Sequence, residues 1–309
     1  MKKTVDALGL GIAPVDFFVT MRSFPLPGKK IDGIPQSSLI AGGGPIPNSL
    51  CTFSKLGGRA SLIAPFGDDR WAKFAREEPD KFGVRHNLCV IRKNCSSARA
   101  FAWIEQQSGN RTIVLDMPQR IFIHPRDFKL SCLPIPKLIH LDGRHLKAAV
   151  KLAHWGKKVD ARVMLDIGSV RNKVDELFPY LDFLICADDY ARHYFNTRSI
   201  KKAASGFKKI GIPEVVVTCG TNGSFGIDSF NNQHRQKAFK IKAVDTTGAG
   251  DAFHGGYLFG LLKGWDLERK MKFASATAAL KCLKPEARTG IPSYRQTIAF
   301  IKKHRKFHD

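Results

Sequence analysis

The sequence predicts an α/β protein of three layers (αβα), with helices on both faces of a mostly parallel β-sheet and a small second sheet added to it. Short apolar runs alternate with helical segments along the chain. These runs are apolar throughout, which is typical of strands buried on both faces of a parallel sheet. The length suits one large core with a small addition, so we treat residues 1–309 as a single domain.

Six segments have the apolar composition of central strands. They are residues 5–12, 60–64, 138–142, 162–166, 182–186 and 215–220. Helices are predicted in the intervals, at residues 47–56, 69–78, 146–156, 172–180, 187–195 and 199–210. Asp69 is a good N-cap for the second helix, and we expect that helix to end before Pro79, since a proline disfavours the helical conformation of the preceding residue. Strands that alternate with helices in this way predict βαβ units.

Two more helices are predicted towards the C-terminus. One of about fifteen residues follows the stretch that ends at Asp251. The other covers residues 267–283, because Asp266 is a suitable N-cap and Pro285 lies just beyond its end.

Two segments interrupt the alternation and predict the small sheet. Residues 16–40 are rich in proline and glycine, and residues 98–116 have the pattern of a hairpin that turns at residues 108–110. On the first arm of this hairpin, Phe101 and Trp103 share one face because side chains alternate along a strand. We expect the small sheet to stand off the main sheet and to serve as a lid over a ligand.

The chain is strongly basic, with 50 Lys and Arg residues against 27 Asp and Glu, a net charge of +23 and a pI of about 9.9. A basic surface favours nucleic acid because binding releases counterions from phosphate. Here the excess is spread along the chain, and no zinc-finger, basic-zipper or RNA-recognition signature accompanies it. We therefore disfavour specific nucleic-acid binding, since an anionic small substrate such as ATP also makes local basic charge useful.

The N-terminal segment and the cysteines predict a cytoplasmic protein. Asp6, Pro14 and Asp16 interrupt the first apolar stretch, and no small-residue cleavage site follows, which argues against a signal peptide. No run approaches eighteen apolar residues, so we expect no membrane span. The seven cysteines are odd in number and form no C-x-x-C pair, which argues against a disulfide framework and a zinc site.

The stretch DTTGAGDAF, residues 245–253, places glycines immediately before a helix. Gly248 and Gly250 would each cost a helix interior about 1 kcal/mol relative to alanine. At a strand-to-helix junction, however, glycines let main-chain N–H groups converge on an anion, and the helix N-terminus adds about half a positive charge. Asp251 beside that anion would accept a proton from an attacking hydroxyl group. The stretch favours phosphoryl transfer without a P-loop; the alternative is that the glycines only permit close packing and Asp251 only caps the helix.

Three spaced motifs resemble those of the ribokinase/PfkB family of carbohydrate kinases. One is DTTGAGDAF itself. Another is AGGGPIPNSLCTFSKLGGRASLIAPFGDD, residues 41–69, in which a Gly-Gly pair, an asparagine and a Leu-Gly pair precede a Gly-Asp turn. The third is VVVTCGTNGSFGI, residues 215–227, which is similar to the Thr-x-Gly-x-x-Gly stretch that flanks the nucleotide in the family. The resemblance covers nearly the full length and implies a ribokinase-like fold and an ATP-dependent sugar kinase.

The resemblance also implies roles for the matching residues. Asp251 would be the general base, and the anion hole would be formed by Gly248, Ala249 and Gly250. The residues implied to bind sugar hydroxyls are Asp16, at the exit of the first strand, and Gly43, Gly44 and Asn48. Those implied to line the nucleotide are Thr218, Gly220, Gly223 and Thr247. Asp245 and Thr247 match positions that in many members help to bind a monovalent cation such as K⁺ behind the anion hole. Without the resemblance, we would interpret Asp16 as a turn residue and Asn48 as a helix cap.

Other stretches favour particular branches of the family. IHLDGRH, residues 139–145, and GNRTIVL, residues 109–115, resemble ketohexokinases, whereas residues 273–292 resemble the C-terminus of sulfofructose kinases. The implied acceptor is a primary hydroxyl of a ketose or of an acidic derivative. Candidates for reading an anionic substituent are Lys29, Arg111 and Arg144. The alternative for each of these residues is that its charge is solvated or forms an ion pair within the lid.

One departure from the family pattern concerns Mg²⁺. Many members carry Asn-x-x-Glu after the fifth strand and organise the ion through water, but here Ala187 and Tyr190 stand at those positions. Asp188 and Asp189 are the residues left to compensate. ATP and Mg²⁺ remain the implied cofactors because the transferred phosphate needs its charge neutralised.

Two alternatives stay open. The same fold accepts ribosides, and a nucleoside kinase would use Phe101 and Trp103 to stack a base. A ribokinase-like protein that has lost catalysis and associates with nucleic acid is the non-enzyme alternative; the net charge suggests it, and the intact Asp16 and Asp251 argue against it. By resemblance, we also expect a homodimer that pairs through the lid.

Overall fold

The computed structural model describes residues 4–34, 38–107 and 111–304. Its strands are β1 (Thr4–Leu10), β2 (Val15–Met21), β3 (Leu39–Gly42), β4 (Ala60–Ile63), β5 (Pro65–Phe66), β6 (Val90–Ile91), β7 (Arg99–Glu105), β8 (Arg111–Asp116), β9 (Ile135–Leu141), β10 (Arg162–Ile167), β11 (Phe183–Ala187), β12 (Glu214–Thr218), β13 (Ser224–Ile227) and β14 (Gln233–Gln236). Its α-helices are α1 (Pro45–Lys55), α2 (Arg70–Asp80), α3 (Leu146–Lys158), α4 (Asp188–Tyr194), α5 (Ile200–Lys209), α6 (Ala249–Leu262), α7 (Leu267–Lys281) and α8 (Tyr294–His304). Across these ranges, every helix is too short or too polar to span a membrane.

The central sheet has eight strands in the order β14-β13-β12-β11-β10-β9-β1-β4. The neighbours from β12 to β4 pair in parallel, which confirms the mostly parallel sheet and the six predicted strands. At the other edge, β13 and β14 continue the sheet in antiparallel pairing and are not among the predicted strands. Both are short, and β14 is wholly polar in sequence, so a search for apolar runs does not find it.

Helices cover both faces of the central sheet, with a separate apolar core on each face. The helices α3, α4 and α5 contribute to one core, and α1, α2, α6 and α7 contribute to the other. Adjacent residues of β10 show the division, because Leu165 lies in the first core, Met164 lies in the second, and both are fully buried. Since both faces require apolar side chains, the strand is apolar at successive positions. The predicted three-layer architecture is confirmed.

The small sheet has four strands in the order β3-β2-β7-β8. It is built from the two segments that the sequence analysis set apart, and the turn predicted at residues 108–110 lies outside the described residues. Phe17 of β2 stacks on Phe101 of β7 with ring centroids 5.2 Å apart, and Trp71 of α2 meets Phe17 edge-on at 5.0 Å. These aromatic contacts fix one end of the small sheet against the body of the domain.

Two helical predictions differ from the structure. α2 continues through Pro79 to Asp80, so the expected end before Pro79 is wrong. A proline so close to the end of a helix removes one N–H group but disturbs no following turn. The helix predicted at residues 172–180 is instead a 3₁₀ helix at Val174–Tyr180, and Pro179 inside it disfavours a regular α-helix.

The predicted helix starts agree better with the structure. Asp69 accepts a hydrogen bond from the main-chain N–H of Ala72 at 3.0 Å, and Asp266 accepts one from that of Arg269 at 2.8 Å. Both aspartates are therefore N-caps, as predicted. The C-terminal helix α8 was not predicted.

Candidate active site

The candidate site begins at the N-terminus of α6, near the carboxyl end of the central strand β10. Gly248 precedes the helix with a φ of 75°, in the left-handed region that favours glycine. A Cβ atom on Gly248 would also lie 2.8 Å from the Cβ atom of Ala287, which leaves it no space. A Cβ atom on Gly250 would meet open space instead. The first turn of α6 is therefore open on the side of Gly250, where the helix dipole favours an anion.

Asp251 follows in this first turn and is held by a residue from a different helix. The Nδ2 atom of Asn48, in α1, donates a hydrogen bond to Oδ2 of Asp251 at 2.7 Å. The Oδ1 atom of the same Asn48 accepts a hydrogen bond from Nε of Arg288 at 2.8 Å, and Nη2 of Arg288 donates to the main-chain oxygen of Gly43 at 3.2 Å. Because arginine can only donate, it fixes which end of the amide faces Asp251. Sequence analysis did not single out Arg288, although it lies in the quoted stretch 273–292.

The environment of Asp251 suits a proton acceptor. Burial and the nearby Asp166 carboxylate together raise the pKa of Asp251 to about 6, against the opposing effect of the hydrogen bond from Asn48. A carboxyl group whose pKa lies near the working pH is an efficient general base, since it is ionised yet basic enough to take a proton. The predicted base is thus placed and tuned for such a role, while the role itself stays a prediction.

Asp16 approaches the site from the small sheet. It lies in β2 rather than at the exit of β1, which ends at Leu10. A Cβ atom on Gly43 would lie 2.1 Å from Oδ1 of Asp16, so only glycine leaves room for this carboxylate. Burial raises the pKa of Asp16 to about 7; Arg288 opposes the shift and Asp251 adds to it. Arg288 donates to the main-chain oxygen of Gly43, which lies against Asp16, and to Asn48, which bonds Asp251, so these side chains lie around one space.

Gly44 is required by the backbone in its own right. Its φ is 95°, and a Cβ atom there would lie 2.2 Å from the main-chain oxygen of Ile12. Gly44 also precedes α1, the helix that carries Asn48. The glycines of this turn therefore bring β1, the small sheet and α1 into close contact around the candidate sugar site.

A buried ion pair lies directly behind Asp251. Nδ1 of His254, one turn further along α6, lies 2.8 Å from Oδ2 of Asp166 at the end of β10, and both side chains are buried. Burial acts against the charged imidazole, yet the Asp166 carboxylate raises the pKa of His254 above its usual range. This pair fixes α6 to the central sheet and places a second carboxylate near Asp251. No sequence motif identified it beforehand.

The predicted nucleotide residues lie in the turn between β12 and β13. Oγ1 of Thr218 donates a hydrogen bond to the main-chain oxygen of Cys186 at 3.3 Å, which joins the ends of β12 and β11. Gly220 and Gly223 have φ values of 54° and 87°. A Cβ atom on Gly223 would lie 2.0 Å from the main-chain oxygen of Gln236, so that position requires glycine, whereas the corresponding atom on Gly220 would meet open space. The turn opens at the carboxyl edge of the sheet, where ligands bind in folds of this kind.

The three predicted anion-reading cations have different surroundings. Nη1 of Arg111, on β8, donates a hydrogen bond to Oγ1 of Thr246 at 3.0 Å and so links the small sheet to the loop before the anion hole. Arg144 is partly buried, and burial together with the neighbouring Arg171 lowers its pKa. Lys29 lies in the exposed loop after β2, where its main-chain N–H group closes a turn on Leu26. Of the three, Arg111 is the one whose charge acts on Asp251, since it lowers the pKa of that carboxyl group.

The acidic residues considered for Mg²⁺ lie in the first turn of α4. Asp188 is partly buried and pairs with Arg192 at 3.4 Å, and it follows Ala187, which is the register partner of Thr218. Asp189 is exposed. Tyr190, which replaces the usual glutamate, is buried and stacks on Phe207. Within the described ranges, no group of three or more His, Cys, Asp or Glu side chains is arranged to hold a metal ion.

Asp245 and Thr247 lie in the loop that leads to Gly248. Oδ1 of Asp245 accepts a hydrogen bond from the main-chain N–H of Thr247 at 2.7 Å, and its Oδ2 accepts one from that of Glu286 at 2.9 Å. The main-chain oxygen of Asp245 accepts a third bond, from Nζ of Lys281 at 2.8 Å. Thr247 is buried beneath these contacts. The loop is therefore tied to the chain segment that follows α7.

The open N-terminus of α6, with the Asp251 carboxylate beside it, lies at the ligand-binding edge of an α/β sheet. This arrangement suits phosphoryl transfer to an alcohol group. The chain belongs to the pfkB family of carbohydrate kinases, whose family model matches residues 8–293. The family resemblance and the ribokinase-like fold class predicted from the sequence are confirmed.

Several relatives match over most of their length. The chain is 26% identical to a ribokinase of Haemophilus influenzae, covering 98% of this chain and 99% of that one. It is 22% identical to a 5-dehydro-2-deoxygluconokinase of Bacillus subtilis, covering 97% of each. It is 23% identical to the ketohexokinase of Mus musculus, covering 78% of this chain and 84% of that one. These relatives phosphorylate different sugars by name, so they support a sugar kinase without selecting the sugar.

Solved structures show the same fold. A ribokinase of Thermotoga maritima has a TM-score of 0.80 at 23% identity and covers 96% of this chain and 99% of that one. A ribokinase of Arabidopsis thaliana, complexed with ribose and ATP, has a TM-score of 0.82 at 22% identity and covers 97% and 99%. A structure from E. coli in complex with ATP and Mg²⁺ has a TM-score of 0.84 at 18% identity and covers 97% and 100%.

Proposed function

We propose that this chain transfers the γ-phosphoryl group of ATP to a primary hydroxyl group of a ketose or of an acidic ketose derivative. The observation that carries the proposal is the meeting of Asp251, Asn48 and Asp16, from three separate elements, at the open N-terminus of α6. A carboxylate next to an anion site is electrostatically unfavourable unless it has a function there, and accepting the proton of the attacking hydroxyl is such a function.

In this mechanism, Asp251 takes the proton from the acceptor hydroxyl as that oxygen attacks the γ-phosphorus atom. The main-chain N–H groups of Gly248 and Gly250 stabilise the negative charge on the transferred group. The N–H group of Ala249 donates to the main-chain oxygen of Thr246 at 3.1 Å and would have to turn from it to join them. Asn48 holds the Asp251 carboxylate in place, and Arg288 holds Asn48. Phosphoryl transfer requires little beyond positioning and charge stabilisation, and these residues supply both.

Asp16, Gly43, Gly44 and Asn48 are proposed to bind the sugar. A carboxylate and a carboxamide together accept and donate hydrogen bonds, as vicinal hydroxyl groups require. The carboxylate of Asp16 lies against Gly43, so the sugar would bind between the small sheet and the start of α1. Arg111, which already links the small sheet to Thr246, is the cation placed to meet a negatively charged substituent or the phosphates. The ketose preference rests on the sequence resemblance and on the ketohexokinase among the relatives.

ATP is proposed to lie along the turn that contains Thr218, Gly220 and Gly223, with Thr247 on its phosphate side. Mg²⁺ would come with the nucleotide, and when bound it would neutralise charge on the phosphates. This ion keeps several waters and needs only one or two carboxylates, so it does not require a cluster of protein ligands. Asp188, which is partly buried in the first turn of α4 beside Thr218, is the residue that we propose to hold it.

The small sheet is proposed to act as a lid and as a dimer interface. As a lid it would exclude water from the transferred phosphoryl group and limit wasteful hydrolysis of ATP. Ile40, Ile113 and Val114 of this sheet are 47%, 51% and 48% exposed, so the sheet leaves apolar surface that a second copy would cover. A cytoplasmic location is proposed because all seven cysteines are free, as is typical of a reducing compartment.

The test is ADP release from Mg·ATP, coupled to an indicator reaction, against a panel of acceptors. The panel contains fructose, tagatose, sulfofructose, ribose, fructose phosphates and adenosine, with Asp251→Asn as the inactive control. A ketose or acidic ketose that outruns all other acceptors, and that the substitution silences, would support the proposal. Preference for adenosine would instead identify a nucleoside kinase. In that case the ring of Phe101 would have to separate from that of Phe17 before it could stack on the base. No turnover together with salt-dependent binding of DNA would instead favour the non-catalytic alternative.

A further inference from the structure

Lys281, the last residue of α7, is a fully buried lysine behind the anion hole. Its exposed fraction is 0%, and its Nζ atom donates to the main-chain oxygen of Asp245 at 2.8 Å. Lysine is almost never fully buried unless it is paired, because removing its charge from water costs much free energy. A role as a solvated surface charge therefore does not explain why a lysine occupies position 281.

Two carboxylates explain why a charged group is tolerated here. Burial and the neighbouring Arg111 lower the pKa of Lys281, whereas Asp245 and Asp251 oppose this shift and favour the protonated ammonium form. Asp251 is the proposed general base, and Asp245 lies three residues before Gly248. The ammonium group thus lies within electrostatic reach of the place where charge would build up on the transferred phosphoryl group.

The surroundings fit a bound monovalent metal ion poorly. The ammonium group of Lys281, 2.8 Å from the main-chain oxygen of Asp245, repels a second cation here. Each carboxylate oxygen of Asp245 also accepts one main-chain N–H group, from Thr247 and Glu286, and Oγ1 of Thr247 is the buried oxygen left without a partner among these described residues. The remaining oxygen of the residue, its main-chain carbonyl, is directed to Lys281. The lysine side chain carries the same single positive charge as a monovalent metal ion, has three N–H donors and is covalently attached to the chain.

We propose that the ammonium group of Lys281 is a built-in cation of the anion hole, and that phosphoryl transfer by this chain is therefore independent of K⁺ and other monovalent metal ions. Lys281 is a positioning residue in this proposal, because it acts through the loop of Asp245 and through its charge. The kinetic part of the proposal rests on the proposed kinase function, whereas the stability part does not.

Contacts around Lys281 show how its charge would shape the anion hole. The loop before Gly248 and the segment after α7 are joined by two hydrogen bonds. The main-chain N–H of Val244 donates to the main-chain oxygen of Cys282 at 2.8 Å, and that of Glu286 donates to Oδ2 of Asp245 at 2.9 Å. Gly248 itself packs against Ala287. Lys281 adds a cationic contact from the end of α7 to the same loop. It therefore fixes the loop and adds positive potential to that of the helix N-terminus.

The first experiment compares the unmodified protein in KCl, NaCl and tetramethylammonium chloride at equal ionic strength. We expect the same kcat, the same KM for ATP and the same thermal unfolding midpoint in all three salts. Activation by K⁺ of several-fold, or a midpoint that rises in K⁺ alone, would overturn the proposal. The unfolding measurement needs no sugar, so it separates failure of this proposal from failure of the proposed function.

The second experiment removes the ammonium group with Lys281→Ala and uses Lys284→Ala, an exposed lysine three residues later, as the matched control. In tetramethylammonium chloride we expect Lys281→Ala to lose about tenfold or more in kcat and to bind ADP more weakly by calorimetry. K⁺ or NH₄⁺ should restore part of the kcat and part of the ADP affinity of Lys281→Ala. Either ion should also raise the unfolding midpoint of this variant, since it can enter the space that the side chain has left. The control should respond to none of these salts.

A loss in Lys281→Ala that neither K⁺ nor NH₄⁺ repairs, in activity and in stability alike, would show a purely structural lysine and would overturn the proposal. If that variant does not fold, Lys281→Met replaces it. Methionine keeps the length of the side chain but not the charge, so kcat should fall without any recovery in K⁺. Unchanged kcat in Lys281→Met would equally refute a role for the charge.

Discussion

Substituting the proposed base, Asp251→Asn, should remove activity and at the same time stabilise the fold. The asparagine carbonyl can still accept the hydrogen bond from Nδ2 of Asn48, which is 2.7 Å from Oδ2 of Asp251, so the local geometry should survive. The amide cannot accept the substrate proton. A positioned general base contributes about 10²–10⁴-fold to the rate, which corresponds to a rise of about 3–5 kcal/mol in the activation free energy. We expect kcat to fall in this range.

The stability effect follows from the pKa of Asp251, which burial raises from 3.8 to about 6. A raised carboxyl pKa means that the folded protein binds a proton more tightly than the unfolded chain between these two values. The free energy of unfolding therefore falls as pH rises from about 4 to 6, and the full penalty is present at neutral pH. A shift of this size corresponds to about 2–3 kcal/mol. Part of it returns when the charged hydrogen bond to Asn48 becomes a neutral one.

Thermal unfolding at pH 7.5, measured by calorimetry with and without ADP, is the decisive assay beside the coupled kinetics. We expect the midpoint of Asp251→Asn to rise by about 2–3 °C at this pH and the gain to vanish near pH 4. Asp160→Asn, at an exposed aspartate without a proposed role, serves as the matched control and should leave both readouts unchanged. Retention of more than about a tenth of kcat would contradict the assignment of the base. An equal or lower midpoint would contradict the account of its burial.

Three further predictions concern the residues around the sugar site. Asp16→Ala should raise KM for the sugar while ATP affinity stays the same by calorimetry, and unchanged KM with unchanged kcat/KM would show that Asp16 is not a ligand. Arg288→Met should lower the free energy of unfolding in urea by about 2–4 kcal/mol, because it leaves two buried acceptors without their charged donor. It should also raise KM for the sugar. Arg295→Met, on the exposed side of α8, should change neither quantity. Gly43→Ala should abolish sugar binding, since its Cβ atom would lie 2.1 Å from the carboxylate of Asp16, whereas Gly168→Ala, where a Cβ atom meets no neighbour within 4 Å, should behave as the unmodified protein in the same binding assay.

The residues of the anion hole and the central strands could be predicted because their signals are local. A strand buried on both faces must be apolar along its length, and this pattern alone places the six central strands. At position 248 the backbone is left-handed and a Cβ atom has no space. Both conditions favour glycine, so the residue type itself indicates them. β13 and the edge strand β14 were missed because β13 has only four residues and β14 is wholly polar, so neither gives a clear apolar run.

The layered fold, the open helix start and the carboxylate beside it could therefore be predicted from the order of residues alone. The contacts that support those groups depend on tertiary packing. Arg288 meets Asn48 across 240 residues of chain, Asp16 reaches the site on a small sheet rather than from the first strand, and Lys281 lies against Asp245. From the sequence of a basic chain, any one arginine or lysine is most simply interpreted as a solvated surface charge. Its burial, its partner and hence its effect on a pKa depend on which elements pack together, and this is a property of the folded chain.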